Sequence, residues 1–354
     1  MSKLTISNIE NDGLNFNLPD ESRTARAFGS KKDEKRYWII LIGLVLMGIF
    51  FSYGLLVYNN PVPVDSPSFI PVVRRRLSAL VAMMIAAVCQ SLSTIAFQSS
   101  TNNRIITPSL LGFEALYSTI HTATMFFGGA AVFFEFTGVV PFLFQGTLMV
   151  IMCLLLYGLL LTGKYGNLQL MLLIGVIFGV GLRSISSFMR RLLTPSEFDV
   201  LQARLFGSVN NADAAYFPVV IPIVIIVSIL LFVYSKKLNV LSLGKNTSVP
   251  LGVNHKRGII YTLVLVSILM SITTALIGPL TFYGFLVATL TYQIASTYDH
   301  RYLFPMGIAV AFLVITAAYF FMYHVFDAQG VVSIIIEMFG GLTFLVVILR
   351  KGTL

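Results

Sequence analysis

Charged residues are scarce in this sequence of 354 residues. Only 11% of the residues are Asp, Glu, Lys or Arg, whereas a soluble globular domain carries roughly 25%. The hydrophobic fraction is 56% and the mean hydropathy is +0.86. Because so few charges cannot coat a soluble surface of this size, the composition excludes a cytosolic enzyme, a disordered protein and a secreted disulfide scaffold. It predicts a protein whose solvent is mostly lipid.

Cysteines and catalytic motifs are also rare. Cys89 and Cys153 each lie in an apolar run, and we interpret both as buried small hydrophobic residues without a disulfide. The four histidines have no metal-ligand spacing, so no metal site is predicted. Residues 158–165 nearly fit the phosphate-binding loop GxxxxGK[ST], but the string ends in Tyr165 and follows an apolar helix rather than a strand. We therefore predict no enzyme activity, no catalytic residue and no bound cofactor; any hydrolysis of ATP must come from a separate subunit.

Long apolar stretches fill the chain after residue 36. A helix needs about 20 apolar residues to cross the hydrocarbon core of a bilayer. Ten windows are candidates: 37–58, 77–98, 108–129, 142–162, 168–188, 217–234, 258–277, 282–296, 302–323 and 331–349. Their apolar residues run nearly without interruption and do not alternate as barrel strands do. The sequence thus predicts an all-α, polytopic membrane protein with about ten transmembrane helices, flanked by a polar N-terminal tail at 1–36, without a cleavable signal peptide, and by a short C-terminus at 351–354.

The basic residues indicate an orientation. Ten crossings place both termini on one side, and most of the 24 Lys and Arg residues fall in segments on that same side. Cytoplasmic loops collect Lys and Arg, so both termini are predicted to be cytoplasmic. The net charge of +9 fits this distribution, and no nucleic-acid partner is predicted. Six arginines fall on the outer side: Arg74, Arg75, Arg76, Arg190, Arg191 and Arg204.

Several strings, in order over roughly residues 70–350, resemble one permease family. The first has Gln98, Asn103, Pro108 and Leu111-Gly112, and it resembles the "Q…NPLA.P..LG" signature of bacterial ABC importer permeases for iron-siderophores, haem and cobalamin. LSLG at 241–244 with LGV at 251–253 resembles the loop that follows the family's sixth span. The remaining matches are Gly278-Pro279 with Phe282 and Gly284, Asp299-His300-Arg301 with Pro305, and Gly340-Gly341 with Phe344. TPSLLGFEALY and VATLTYQ resemble the ferric-siderophore branch.

The resemblance implies a permease subunit in the bacterial cytoplasmic membrane. Such a subunit pairs with a second permease, identical or paralogous, around one pathway, and works with two ATP-binding subunits and an external solute-binding protein. Arg74, Arg75 and Arg76 are then expected to dock the binding protein, although attraction to lipid headgroups is the alternative. The loop after the sixth span is expected to contact the ATPase through a short helix, although it could be an ordinary loop. The residues assigned to this contact are Leu241, Leu243, Gly244, Leu251, Gly252 and Val253.

Rare polar groups inside the spans are candidates for the substrate pathway. Anionic ferric siderophores need cationic or dipolar partners in a low-dielectric channel. Arg183 lies roughly 22 Å from the inner start of its helix. It either faces the substrate, or reaches the outer interface, or pairs with Glu135 or Glu337. Tyr283 and Tyr292 could line the pathway or pack in the protein interior.

A different class of function is an alternative: an ion-coupled secondary transporter of a small anionic solute. Glu114 and Glu337 are possible ion carriers, and Gly278-Pro279 would break a helix, as in such transporters. We see no inverted repeat in the sequence. We otherwise interpret Glu114 as favoured by the dipole of its helix, and Glu337 as hydrogen-bonded between helices.

Overall fold

The computed structural model describes residues 27–58, 66–67, 69–162, 168–326 and 332–351. Residues 1–26 of the predicted tail and residues 352–354 of the predicted C-terminus lie outside these ranges. In the described ranges the chain is helical and has no strand. The helices are α1 Lys31–Val57, α2 Phe69–Ser100, α3 Phe113–Glu135, α4 Val139–Thr162, α5 Leu168–Arg191, α6 Pro195–Leu205, α7 Phe217–Leu241, α8 Lys245–Ser248, α9 His255–Ile277, α10 Tyr283–Ile294, α11 His300–His324 and α12 Val332–Lys351. Three single turns of 3-10 helix are Pro108–Leu111, Val209–Asn211 and Ala214–Tyr216.

A helix occupies each of the ten predicted windows. In the described part of the chain, six segments are both long and apolar enough to cross a membrane: Lys31–Val57, Phe69–Ser100, Leu170–Arg191, Ala214–Leu241, His255–Ile277 and His300–His324. Helices α4 and α12 have shorter apolar segments, and α10 has 12 residues, or about 18 Å of helix. The all-α membrane fold is confirmed, and the number of crossings remains a prediction.

Helices α2 and α9 form the centre of the bundle and pack against each other along their length. The second half of α2 is buried on all sides and is rich in small residues such as Ala86, Ala87 and Ser91. Small side chains let helix backbones approach closely when the surrounding medium is as apolar as the side chains. Helices α7, α10 and α11 surround α2, while α1 packs on α11, α3 on α5 and α12 on α10. Cys89 and Cys153 are free and buried, as predicted.

The bundle has two ends, which we name after the short helices that lie there. The α8 end is where α2, α7 and α10 finish and where α1, α9 and α11 begin. The α6 end is where α1, α5, α9 and α11 finish. Contacts between distant segments define both ends: Ser99 meets His300 at the first, and Ser208 meets Ile277 at the second.

Two helices begin at a different residue from the apolar window that predicts them. Helix α1 begins at Lys31 rather than at residue 37, because the Ser30 hydroxyl accepts from the Asp33 N–H and acidic residues occupy the first turn. The third span was predicted from residue 108, but α3 begins at Phe113 after a 3-10 turn and Gly112, which has φ +101°. Gly112 lies against Gly175 and Gly179 of α5, so α3 starts part-way along α5.

Candidate functional site

Several of the motifs that resemble the permease family lie close together at the α8 end. Gln98 donates from Nε2 to the Arg104 carbonyl at 2.8 Å, and the Ile105 N–H donates to Asn103 Oδ1 at 2.9 Å. These two side chains therefore fix the loop 101–107 that follows α2. Pro108 then opens the 3-10 turn, where its missing N–H costs nothing.

A buried polar network joins three helices at this end. His300 at the start of α11 is hydrogen-bonded through Nε2 to Ser99 Oγ of α2 at 2.6 Å, and through Nδ1 to Asn239 Oδ1 of α7. Asn239 in turn donates to Asp299 Oδ1 at 3.0 Å. Burial acts to raise the pKa of Asp299, but hydrogen bonds from Arg301 and Asn239 outweigh it and leave that pKa below its usual value. The network couples the end of α7, and the loop that follows it, to α2 and α11.

The loop 242–254 projects from the α8 end. It contains α8, a single helical turn, between Gly244 at φ +85° and Gly252 at φ +79°. The side chains of Leu243 and Leu251 are each more than half exposed, at 55% and 58%. Exposed leucines on a loop between two membrane helices present an apolar surface to a partner.

Two of the residues assigned to the ATPase contact are placed differently from the prediction. Leu241 is fully buried under α9, where it touches Gly258, and Val253 is half-buried against the core. The predicted short helix carrying four apolar residues is also wrong, because α8 spans Lys245–Ser248 and holds none of them. The exposed apolar residues of this loop are Leu243, Val249 and Leu251.

A second cluster lies inside the bundle, around the turn between α9 and α10. The Thr281 hydroxyl donates to Glu114 Oε2 at 2.6 Å, and the Glu337 carboxylate lies against the Thr281 backbone N–H. Glu114 is buried and interacts electrostatically with Glu337 and with Arg183 of α5. Within the described ranges, Arg183 has no carboxylate at ion-pair distance, and its side chain is exposed on the bundle surface.

The turn itself depends on close backbone packing. A Cβ on Gly207 would overlap the Pro279 carbonyl oxygen, and one on Gly278 would lie 3.0 Å from Gly207 Cα. The Ser208 N–H donates to the Ile277 carbonyl at 2.9 Å across this contact. On the other side, a Cβ on Gly340 of α12 would lie 2.6 Å from Phe282 Cβ. These glycines let the turn enter the bundle between α12 and the loop before α7.

The two tyrosines predicted near the pathway lie at opposite ends of α10. Tyr283 is fully buried and donates to the Ala311 carbonyl at 2.7 Å, so it joins α10 to α11 and does not line a pathway. Tyr292 lies at the α8 end, where its ring stacks on the Arg104 guanidinium. The prediction selected both residues because they follow Gly278-Pro279 in sequence. Tyr283 begins α10 directly after that turn, whereas α10 places Tyr292 at its other end.

The sequence from residue 38 to residue 350 matches the FecCD transport family over nearly the whole chain. The chain belongs to the FecCD transport family. The resemblance in the motifs is therefore confirmed at the level of the family.

Relatives of this FecCD-family chain are transport components. It is 67% identical over 354 residues, all of both chains, to the petrobactin import system permease protein FatC of Bacillus anthracis. It is 24% identical to the permease protein FatD of the petrobactin import system of the same organism, over 90% of this chain and 92% of FatD. A solved structure of a metal-chelate type ABC transporter in an inward-facing conformation matches with a TM-score of 0.73 at 20% identity, over 88% of this chain and 99% of that chain. At that identity the likeness shows the fold alone.

The arginines of this FecCD-family chain at the start of α2 divide into two kinds. Arg76 donates from Nη1 to the carbonyls of Leu55, Leu56 and Tyr58, so it caps the C-terminus of α1. This contact gives Arg76 a structural role, and its assignment to a docking site remains a prediction. Arg74 and Arg75 are exposed and line a groove of about 550 Å³. The preceding residues 59–65 and 68 lie outside the described part.

Sequence reasoning missed some of the residues that organise these sites. Thr281 contacts the carboxylates of Glu114 and Glu337, and Arg104 contacts two tyrosine rings. Both depend on contacts between segments that are far apart in the chain, which a single sequence does not reveal. Within the described ranges, no three His, Cys, Asp or Glu side chains are grouped as a metal site.

Proposed function

We propose that this chain is a permease subunit of an ATP-driven importer of ferric siderophores of the petrobactin type. The observation that carries the proposal is the 67% identity to FatC over the full length of both chains. In this proposal all ten apolar windows cross the bacterial cytoplasmic membrane, and both termini are cytoplasmic. The α8 end then faces the cytoplasm and the α6 end faces outward. Family membership and the fold match favour this function over an ion-coupled secondary transporter.

The permease pairs with a different permease. FatC and FatD carry the name of the same import system in the same organism, and this chain resembles FatC far more than FatD. We therefore expect a heterodimer with a FatD-like subunit. Two ATPase subunits bind ATP and magnesium at the α8 end. An external binding protein delivers the substrate at the α6 end.

The geometry supports roles for three groups of residues in such an importer. Leu243, Val249 and Leu251 present an apolar surface that a groove on the ATPase subunit can receive. Arg74 and Arg75 supply exposed positive charge for the binding protein. Arg183 is exposed on the bundle surface, and we propose that it faces the second permease, where its cation attracts an anionic chelate.

Transport by the reconstituted system tests the proposal. A strain that lacks its own petrobactin permeases receives this chain with its FatD-like partner, ATPase and binding protein, and uptake of radiolabelled iron is measured. We expect uptake from ferric petrobactin that needs all four components. A matched ATPase variant without its catalytic carboxylate controls for passive entry. Uptake that persists without the ATPase would contradict the ATP-driven mechanism, and uptake restricted to another chelate would contradict the substrate.

A further inference from the structure

The guanidinium of Arg104 contacts two aromatic rings at the α8 end. Its guanidinium carbon lies 4.6 Å from the ring centre of Tyr292 and 5.3 Å from that of Tyr298. Tyr292 belongs to α10, and Tyr298 belongs to the segment between α10 and α11. We call these three residues the Arg104 clamp. Cation–π contacts with two rings restrict the rotation of a guanidinium without using its N–H groups as hydrogen-bond donors.

The supports of the clamp are themselves anchored. The backbone of Arg104 is fixed by the hydrogen bond from Gln98 Nε2 to its carbonyl. Next to Tyr298, the Thr297 hydroxyl donates to the Ala27 carbonyl at 2.5 Å. The backbone segments that carry Arg104 and Tyr298 are therefore held by hydrogen bonds before any partner arrives, which lowers the conformational entropy that is lost on binding.

The Arg104 guanidinium has no acidic partner in the described part of the chain. The ion pair recorded among the described residues is Arg301 with Asp299, and Arg104 has no carboxylate at ion-pair distance. Beside the clamp, a cavity of about 320 Å³ is lined by Asn102, Leu243 and His300, among others. Gln98 also lines it, and its Oε1 is buried without a hydrogen-bond partner among the described residues. This space can admit a side chain from outside.

The cavity is continuous with the apolar surface of the loop 242–254. Leu243 belongs to both, and a Cβ on Gly244 would lie 3.4 Å from Asn102 Nδ2. A fixed cation beside exposed Leu243, Val249 and Leu251 is the composition of a protein interface, with an apolar centre and a charged anchor. A lipid phosphate would meet the cation but would leave these apolar side chains in water.

We propose that the Arg104 clamp binds a carboxylate side chain of the ATPase subunit, as a second contact beside the loop 242–254. This inference rests on the proposed function, because it takes the α8 end as the face that meets the ATPase. A planar guanidinium with free edges matches a carboxylate through two parallel hydrogen bonds. The clamp therefore fixes the register of the ATPase, while the apolar loop supplies contact area.

Binding measurements on the complex test the clamp. The permease pair is placed in nanodiscs, and association of the ATPase subunit is measured at low and high salt. We expect Arg104→Gln to weaken association roughly 10- to 100-fold at low salt, since a hydrogen-bonded charge is lost. The affinity of the Arg104→Lys variant should lie between those of the unmodified protein and of Arg104→Gln. Lysine keeps the charge but lacks the planar set of N–H groups and their stacking on the rings. Tyr298→Leu should also weaken association, although the cation remains.

Controls separate docking from folding. Lys236→Gln removes an exposed cation of α7 at the same end and should leave the affinity unchanged. Each variant must match the unmodified protein in size exclusion and thermal stability. Arg104→Glu should be rescued by one Asp→Arg or Glu→Arg change on the ATPase, and that rescue identifies the partner carboxylate.

The outcomes are distinguishable. If the unmodified permease pair does not bind the ATPase, both the proposed function and this inference fail. If it binds and Arg104→Gln binds equally well, only the clamp inference is overturned. A change in phospholipid retention with unchanged ATPase affinity assigns the clamp to lipid and also overturns it.

Discussion

Thr281 and Glu114 are joined by a hydrogen bond of 2.6 Å although 167 residues separate them in sequence. Thr281 lies in the turn between α9 and α10, and Glu114 lies in the first turn of α3. Glu337 of α12 approaches the same threonine through its backbone N–H. One residue of the turn thus holds carboxylates from two helices that are far apart in the chain.

Removal of this hydroxyl should destabilise the protein. Thr281→Val keeps the shape of the side chain but leaves Glu114 Oε2 without its donor inside the bundle. We expect a loss of about 1–3 kcal/mol of stability. Thermal unfolding in nanodiscs measures it, and Thr281→Ser is the matched control because it keeps the hydroxyl. Equal stability of the Val and Ser variants would show that the hydrogen bond contributes nothing.

The contact between Gly207 and Pro279 predicts a strong effect of a single methyl group. Gly207→Ala forces the loop before α7 away from the α9–α10 turn, and overpacking of this kind costs about 1–3 kcal/mol or more. Gly146→Ala in α4 is the control, because its new Cβ meets nothing within 4 Å among the described residues. That change should stabilise the helix by up to about 1 kcal/mol. The two unfolding midpoints should move in opposite directions.

Substitution of Leu241 should affect stability, whereas substitution of Leu251 should affect ATPase binding and uptake. Leu251→Asp places a charge on an exposed apolar surface, so we expect normal folding with loss of ATPase binding and of uptake. Leu241→Ala opens a cavity under α9 and should cost about 2–5 kcal/mol of stability. Protein yield, unfolding midpoint and ATPase affinity are compared for both. If the Leu251→Asp variant supported wild-type uptake, the loop 242–254 would not be part of the ATPase contact.

Substitutions of the arginines at the start of α2 should likewise distinguish an effect on stability from an effect on binding. Arg76→Gln removes the cap of α1 and should lower stability by about 1–3 kcal/mol. Arg74→Gln with Arg75→Gln should leave stability unchanged and slow association with the loaded binding protein at low salt. At high salt the association rates should converge, because salt screens exposed charges. Identical rates at low salt would exclude these two arginines from docking.

The sequence was sufficient for the class of fold and for the positions of the long helices, because apolar windows of this length have few alternatives. The spacing of apolar residues in the sequence also indicates that Leu241 is buried, although Leu241 was assigned to the ATPase contact. The buried residues of α7 include Val224, Val227, Leu231 and Leu238, and the same helical spacing places Leu241 on the buried face. The start of α3 was missed because apolar composition continues through the 3-10 turn before it. The grouping of Glu114, Thr281 and Glu337 depends on how distant helices pack, which no local pattern records.

The shortness of α10 has a consequence for biosynthesis. Twelve residues give about 18 Å of helix, whereas the hydrocarbon core is about 30 Å thick. In the proposed topology α10 nevertheless crosses the membrane, and we expect it to insert together with α9 as a hairpin that is closed by the turn at Gly278-Pro279. The orientation of α11 and α12, which are made later, would then depend on the formation of that hairpin.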